Sequence, residues 1–182
     1  MTGQIWTASN ILSLIRLLLV IPISWLLIAD EPSYNFYTVL LILIAILTDF
    51  FDGRIARRFN QITEFGKIID PIADKIAVGV VSILLTLQGK LPMWFLVAVL
   101  ARDIAIFSGG LYIRKAKRIV LESNVVGKWA VTIVAVLLVV TVLDIDEIQW
   151  LKEILIALSA IFLILSFVLY LKRYVDVVGV KV

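Results

Sequence analysis

Cysteine and histidine are both absent from this 182-residue chain, and proline occurs only four times. The first absence removes disulfides, thiolate metal sites and cysteine nucleophiles. The second removes the commonest general base and the commonest transition-metal ligand. Charge is also scarce, at 17% of residues, against about a quarter in an ordinary soluble domain. Any chemistry must therefore run on carboxylates, lysine, arginine, hydroxyls or metals bound through oxygen.

Apolar sequence fills the space that these absences leave. The chain is 62% hydrophobic with a mean hydropathy of +1.08, where soluble domains run at roughly 45–50% apolar. That composition excludes a soluble fold, and the length favours one membrane domain over residues 1–182 with no room for a second, water-soluble one. The net charge of +3 does not point to nucleic acid, because the basic residues gather in particular short loops.

A bilayer core of about 30 Å takes roughly 20 apolar residues per spanning helix. Six segments meet that standard: 10–29, 34–58, 67–88, 92–114, 124–143 and 149–171. The fold class expected is thus all-α, an integral membrane protein with six transmembrane helices. A short interfacial segment around Trp6 precedes them, since tryptophan favours the headgroup region. Asp30-Glu31-Pro32, Gly89 to Pro92 and Asp144 to Glu147 mark connections. The first apolar run is too long for a signal peptide and has no basic stretch before it, so it reads as a retained helix.

Lysine and arginine divide unevenly between alternate loops. Arg54, Arg57, Arg58 and Lys67 follow the second helix, Arg114, Lys115, Lys117 and Arg118 follow the fourth, and Lys172, Arg173 and Lys181 follow the sixth. The other side offers Lys90 and Lys152 beside Asp30, Glu31, Asp144, Asp146, Glu147 and Glu153. The charge-orientation rule then predicts both termini in the cytoplasm of a multi-pass cell-membrane protein.

Asp49, Asp52, Asp70, Asp74 and Asp103 lie within or at the ends of apolar helices. An ionised aspartate at the bilayer centre costs about 2.5–3.5 kcal/mol even on a lenient insertion scale, so each needs a partner or a task. At 100° per residue Asp49, Asp52, Gly53, Ala56 and Arg57 share one face of the second helix. Gly66, Asp70 and Asp74 form a stripe at the start of the third, with Pro71 near its first turn. The short connection makes a hairpin in which the stripes face each other. Four carboxylates that close repel unless cations separate them, and an oxygen-only ligand set favours Mg²⁺ or Mn²⁺, or Ca²⁺, over zinc. The alternative is that the aspartates pair with Arg54, Arg57, Lys67 or Lys75 and stitch the helices together. Gly53, Ala56 and Gly66 have a parallel alternative as small residues that let membrane helices pack closely.

The pattern Asp49-x2-Asp52-Gly53-x2-Ala56-Arg57-x8-Gly66-x3-Asp70-x3-Asp74 resembles the signature of the CDP-alcohol phosphatidyltransferases at every position. Asn10-x2-Ser13-x2-Arg16 and the six expected helices extend that resemblance over most of the chain. It implies that Asp49, Asp52, Asp70 and Asp74 ligate two divalent ions, Mg²⁺ or Mn²⁺, and that Asp74 also takes the acceptor hydroxyl's proton. It further implies that Asp52, Gly53, Ala56, Arg57 and Gly66 line the site for the CDP of a CDP-linked lipid donor such as CDP-diacylglycerol. The site would face the cytoplasm, and the protein would be a homodimer that makes phospholipids.

A phosphorylated acceptor needs cations, and Arg102, Arg114, Arg118 and Lys128 are the candidates, with Lys115 and Lys117 beside them. A basic loop that only sets topology is the alternative for Arg114 to Arg118, and a buried ion pair with Asp103 is the alternative for Arg102. Within the family the chain is most similar to bacterial phosphatidylglycerophosphate synthases, whose acceptor is glycerol 3-phosphate. It departs from them at Asp103, where glutamate is usual, and at Trp129-Ala130 after Gly127-Lys128. Arg102-Asp103 followed by Gly109-Gly110 is also similar to cardiolipin synthases, and inositol phosphate or serine acceptors occur in the same family. From a different class, a small cation transporter could use the aspartates as an ion path, although transporter sites tend toward the midplane and broken helices.

Overall fold

The computed structural model of the chain describes residues 7–58, 66–117 and 124–179, without the side chains of residues 8–9, 50–58, 67–68, 71, 114, 116–117 and 178. The expected interfacial segment around Trp6, and Arg118, lie outside the described residues. The helices are α1 (Ala8–Ala29), α2 (Asn35–Arg58), α3 (Gly66–Leu87), α4 (Met93–Lys117), α5 (Val125–Leu143) and α6 (Gln149–Gly179). Short 3-10 turns at Pro32–Tyr34 and Asp146–Ile148 lead into α2 and α6. All six expected helices are there, and no strand occurs among the described residues.

Boundaries fall within three residues of expectation except at the end of α6, which continues to Gly179. Lys172 and Arg173 end the apolar run but are good helix formers, so the helix outlasts the hydrophobic segment. Five helices are long and apolar enough to cross a membrane. The exception is α3, because any 18-residue stretch of it contains Asp70, Asp74 and Lys75. Its 22 residues still reach about 33 Å at 1.5 Å per residue. Pro71 is the sixth residue of α3, just past its first turn, so the Lys67 carbonyl lacks its usual helical N–H partner.

The described residues form two compact units. One comprises α1 to α3 through Lys90 together with Val142–Asp144; the other comprises α4, α5 through Thr141 and α6. In the first, α1 packs against both α2 and α3, burying Val20, Ile23 and Leu27 of α1, Val39, Ile42 and Ala45 of α2, and Ala73, Val81 and Leu85 of α3. α1 is thus the element in contact with both acidic helices. In the second unit α4 packs against α6, with Phe95, Val99, Ala130, Leu137 and Leu163 buried. Large apolar side chains such as Leu18, Trp25, Leu87, Ile104 and Ile164 point outward, which is where a bilayer would supply the apolar partner that water cannot.

The first unit is fastened at one end by the residues that close its helices. Asp30 ends α1 with a left-handed φ of 49°, and Asp144 follows α5 with φ 51°. Lys90 reaches both carboxylates, at 3.2 and 3.3 Å, and Gln88 Nε2 donates to the Leu27 carbonyl at 2.5 Å. A cation beside exposed helix C-termini also complements their partial negative charge. Replacing Lys90 with Met should lower stability by about 1 kcal/mol, within the range for a partly exposed charge cluster. Thermal unfolding in detergent checks it, and a melting temperature at or above wild type would show that the clamp contributes nothing.

Candidate functional site

Four buried polar residues recur every third position at the start of α1: its cap Thr7, then Asn10, Ser13 and Arg16. Thr7 caps the helix, its hydroxyl accepting from the Asn10 N–H at 3.3 Å. Spacing of three keeps the others on one side of α1, the side from which Ser13 and Arg16 reach the acidic helices. Arg16 is the ninth residue of α1, about 12 Å along its axis. A guanidinium that deep in an apolar helix requires anionic partners.

It has them on two helices. Arg16 Nη1 is hydrogen-bonded to Oδ1 of Asp74 on α3, and Nη2 lies 3.3 Å from Oδ1 of Asp49 on α2. Ser13 Oγ donates to Oδ1 of Asp70. Three of the four aspartates singled out in the sequence are therefore gathered around α1. Of Asp52 only the backbone, within α2, is described. Burial is graded across the cluster: the Arg16 side chain is 3% exposed, but those of Asp49 and Asp74 are 54% and 43% exposed. The cation forms the floor of the site and the carboxylates its open rim.

This arrangement bears on both readings of the aspartates. Among the described residues no three acidic side chains close into a metal cage, and part of the acidic charge is answered by an arginine. That arginine is Arg16 of α1; the side chains of Arg54, Arg57 and Lys67 lie outside the described residues. The bonds to Ser13 and Arg16 described above all use Oδ1 atoms, and the Asp49 and Asp74 side chains are about half exposed. Half-exposed carboxylate oxygens suit a hard divalent cation.

The proposed CDP-site residues fall at the same helix ends. Gly66 is buried as the first residue of α3, and Gly53, Ala56 and Arg57 occupy the last turns of α2 with their side chains outside the described residues.

Of the acceptor candidates, the side chains of Arg102 and Lys128 are described. Arg102 is 10% exposed and bonds Asp103 Oδ1 through Nη1 at 2.7 Å and Ser166 Oγ through Nη2 at 2.7 Å. The buried ion pair weighed for this residue is thus what the structure holds, with Ser166 of α6 as an unforeseen third member. Asn124 extends the cluster: its Oδ1 accepts from the Gly127 N–H at 2.5 Å, capping α5. Lys128 is exposed on α5, and the side chains of Arg114 and Arg118 lie outside the described residues.

Fold and site together define a multi-pass helical membrane protein with an acidic, oxygen-donor site built on a buried guanidinium. The chain belongs to the CDP-alcohol phosphatidyltransferase family, whose family profile matches residues 6–171. It is 32% identical over 170 residues to an Aquifex aeolicus CDP-diacylglycerol–glycerol-3-phosphate 3-phosphatidyltransferase, covering 92% of this chain and 91% of that one. A Bacillus subtilis protein of the same name is 31% identical over 127 residues, 66% of this chain and 65% of the relative. A Streptomyces coelicolor cardiolipin synthase (CMP-forming) is 34% identical over 105 residues; the match covers 56% of this chain and about half, 49%, of that protein's length.

A Cβ added at Gly127 would lie 2.8 Å from Asn124 Oδ1, 3.1 Å from Ser166 Oγ and 3.2 Å from Arg102 Nη2. Moving Asn124 aside would break its cap on α5, so Gly127→Ala should destabilise by about 1–3 kcal/mol through overpacking and a weakened cap. The melting temperature in detergent reports it, and an unchanged value would mean that the cluster yields freely.

Proposed function

We propose that the chain transfers a phosphatidyl group from a CDP-linked lipid to the hydroxyl of glycerol 3-phosphate, with release of CMP. The observation that carries this reading is the Aquifex relative, whose match extends over nine-tenths of both chains. The cardiolipin synthase match covers about half of each and supports the donor chemistry more than the acceptor. The family profile runs across both structural units, and we treat residues 1–182 as one functional domain. By the distribution of lysine and arginine, the aspartate site faces the cytoplasm of the cell membrane with both termini on that side. A homodimer and a bound pair of Mg²⁺ or Mn²⁺ ions belong to the same proposal.

In this mechanism the acceptor hydroxyl oxygen attacks the phosphorus that carries the lipid. The new P–O bond forms as the bond to CMP breaks, CMP leaves with the electron pair, and the hydroxyl proton passes to the Asp74 carboxylate. Asp74 suits that role as a half-exposed group held on its buried side by Arg16, with orientation fixed before the acceptor arrives. Divalent ions held by Asp49, Asp52, Asp70 and Asp74 would supply neutralisation of the diphosphate and stabilisation of the leaving group. Gly53, Ala56, Arg57 and Gly66 would bind the nucleotide, with Arg57 as the phosphate clamp.

Supplying radiolabelled CDP-diacylglycerol with glycerol 3-phosphate, phosphatidylglycerol, inositol phosphate or serine in turn identifies the lipid formed. The expected product is phosphatidylglycerophosphate; cardiolipin from the phosphatidylglycerol arm would reassign the acceptor. Ion flux in proteoliposomes with no CMP formed in any arm would favour the transporter reading. Asp70→Asn and Asp74→Asn should each lower CMP release by at least about a hundredfold, the scale of a lost proton acceptor or metal ligand. Wild-type turnover in both would remove these residues from the mechanism.

A further inference from the structure

We infer that Ser13 and Arg16 of α1 are positioning residues, which hold the carboxylates of α2 and α3 in the arrangement that receives a divalent cation. The inference rests on the transferase reading and adds a third helix to the site. α1 carries no acidic residue, so it offers no ligand of its own. It is nevertheless the helix that packs on both acidic helices, and two of its buried polar side chains end on three different aspartates. Ser13 is fully buried, and Arg16 nearly so.

The geometry separates support from binding. Each named contact comes from a buried side chain of α1 and takes Oδ1, whereas Asp49 and Asp74 are about half exposed. Partners that fix a carboxylate's orientation in this way set cation affinity, and their loss typically weakens it about 10–100-fold. Arginine suits Arg16's position better than lysine because its planar fork presents Nη1 and Nη2 to two carboxylates at once.

Two physical effects of removing Arg16 have opposite sign, and that makes the inference testable. If Arg16 were only a competing cation, its loss would leave more negative charge and tighten metal binding. If it positions the carboxylates, they splay apart under mutual repulsion and binding weakens. Ser13→Ala changes no charge and isolates the positioning effect.

The experiment titrates Mn²⁺ into the purified full chain without donor, following loss of the free-ion electron paramagnetic resonance signal, for wild type, S13A, R16Q and R16K. Parallel assays follow CMP release against Mn²⁺ concentration. Weakening of about tenfold or more in S13A and R16Q is expected, with R16K intermediate and CMP release recovering as Mn²⁺ is raised. Unchanged binding in S13A, or tighter binding in R16Q, overturns the inference. Should R16Q fail to give monodisperse protein, S13A and R16K decide the matter. Wild type that releases CMP but takes up no Mn²⁺ sinks the positioning role and leaves the transferase reading standing. Absence of CMP release with every acceptor sinks the transferase reading, while weakened Mn²⁺ binding in S13A would still support the role of α1.

Discussion

A buried guanidinium on α1, shared between carboxylates of α2 and α3, is the interaction around which the polar residues of the first unit are arranged. Neither partner is tolerable alone. An arginine two turns into an apolar helix is costly without an anion, and aspartates on neighbouring helices repel without a cation. Together they fix the order of packing: α1 must lie against both acidic helices for one side chain to reach Asp49 and Asp74. The usual ambiguity of membrane packing, in which one apolar helix face resembles another, is removed by a few polar atoms that must meet.

Most of the fold was legible because it follows from one solvent. Twenty-residue apolar runs, broken by Asp30-Glu31-Pro32 or Gly89 to Pro92, place helices wherever a bilayer must be crossed, and the structure forms them there. The errors share a cause, since hydropathy reports where lipid ends and not where hydrogen bonding ends. α6 therefore runs on past Lys172, and α3 forms in full despite its charged start.

At the site, sequence periodicity identified the aspartates, because an acidic residue in an apolar helix stands out by cost alone. The same reasoning applied to Arg16 would have found their partner, and spacing of three would have tied it to Ser13 and Asn10. Those residues stood only as part of a family likeness, with no task assigned. The hairpin reading placed the acidic ends of α2 and α3 near each other, and a charge on a third helix, Arg16 of α1, joins Asp49 to Asp74 there. Ser166 and Asn124 carried no such signal. A serine within a membrane helix, or an asparagine just before one, is common, and only the packed structure shows that both converge with Arg102.

The arginines Arg16 and Arg102, both set within apolar helices, show how exposure separates a site from a staple. Arg102 faces the adjacent Asp103 and a serine hydroxyl, with both Nη groups engaged at 2.7 Å. Its side chain is 10% exposed and that of Asp103 18%, and even a methyl group at Gly127 would crowd it. Arg16 is buried more deeply still, but the Asp49 and Asp74 side chains that it meets are about half exposed. A cluster buried on both sides of its ion pair holds helices in place, whereas one whose carboxylates stay exposed can also receive a ligand.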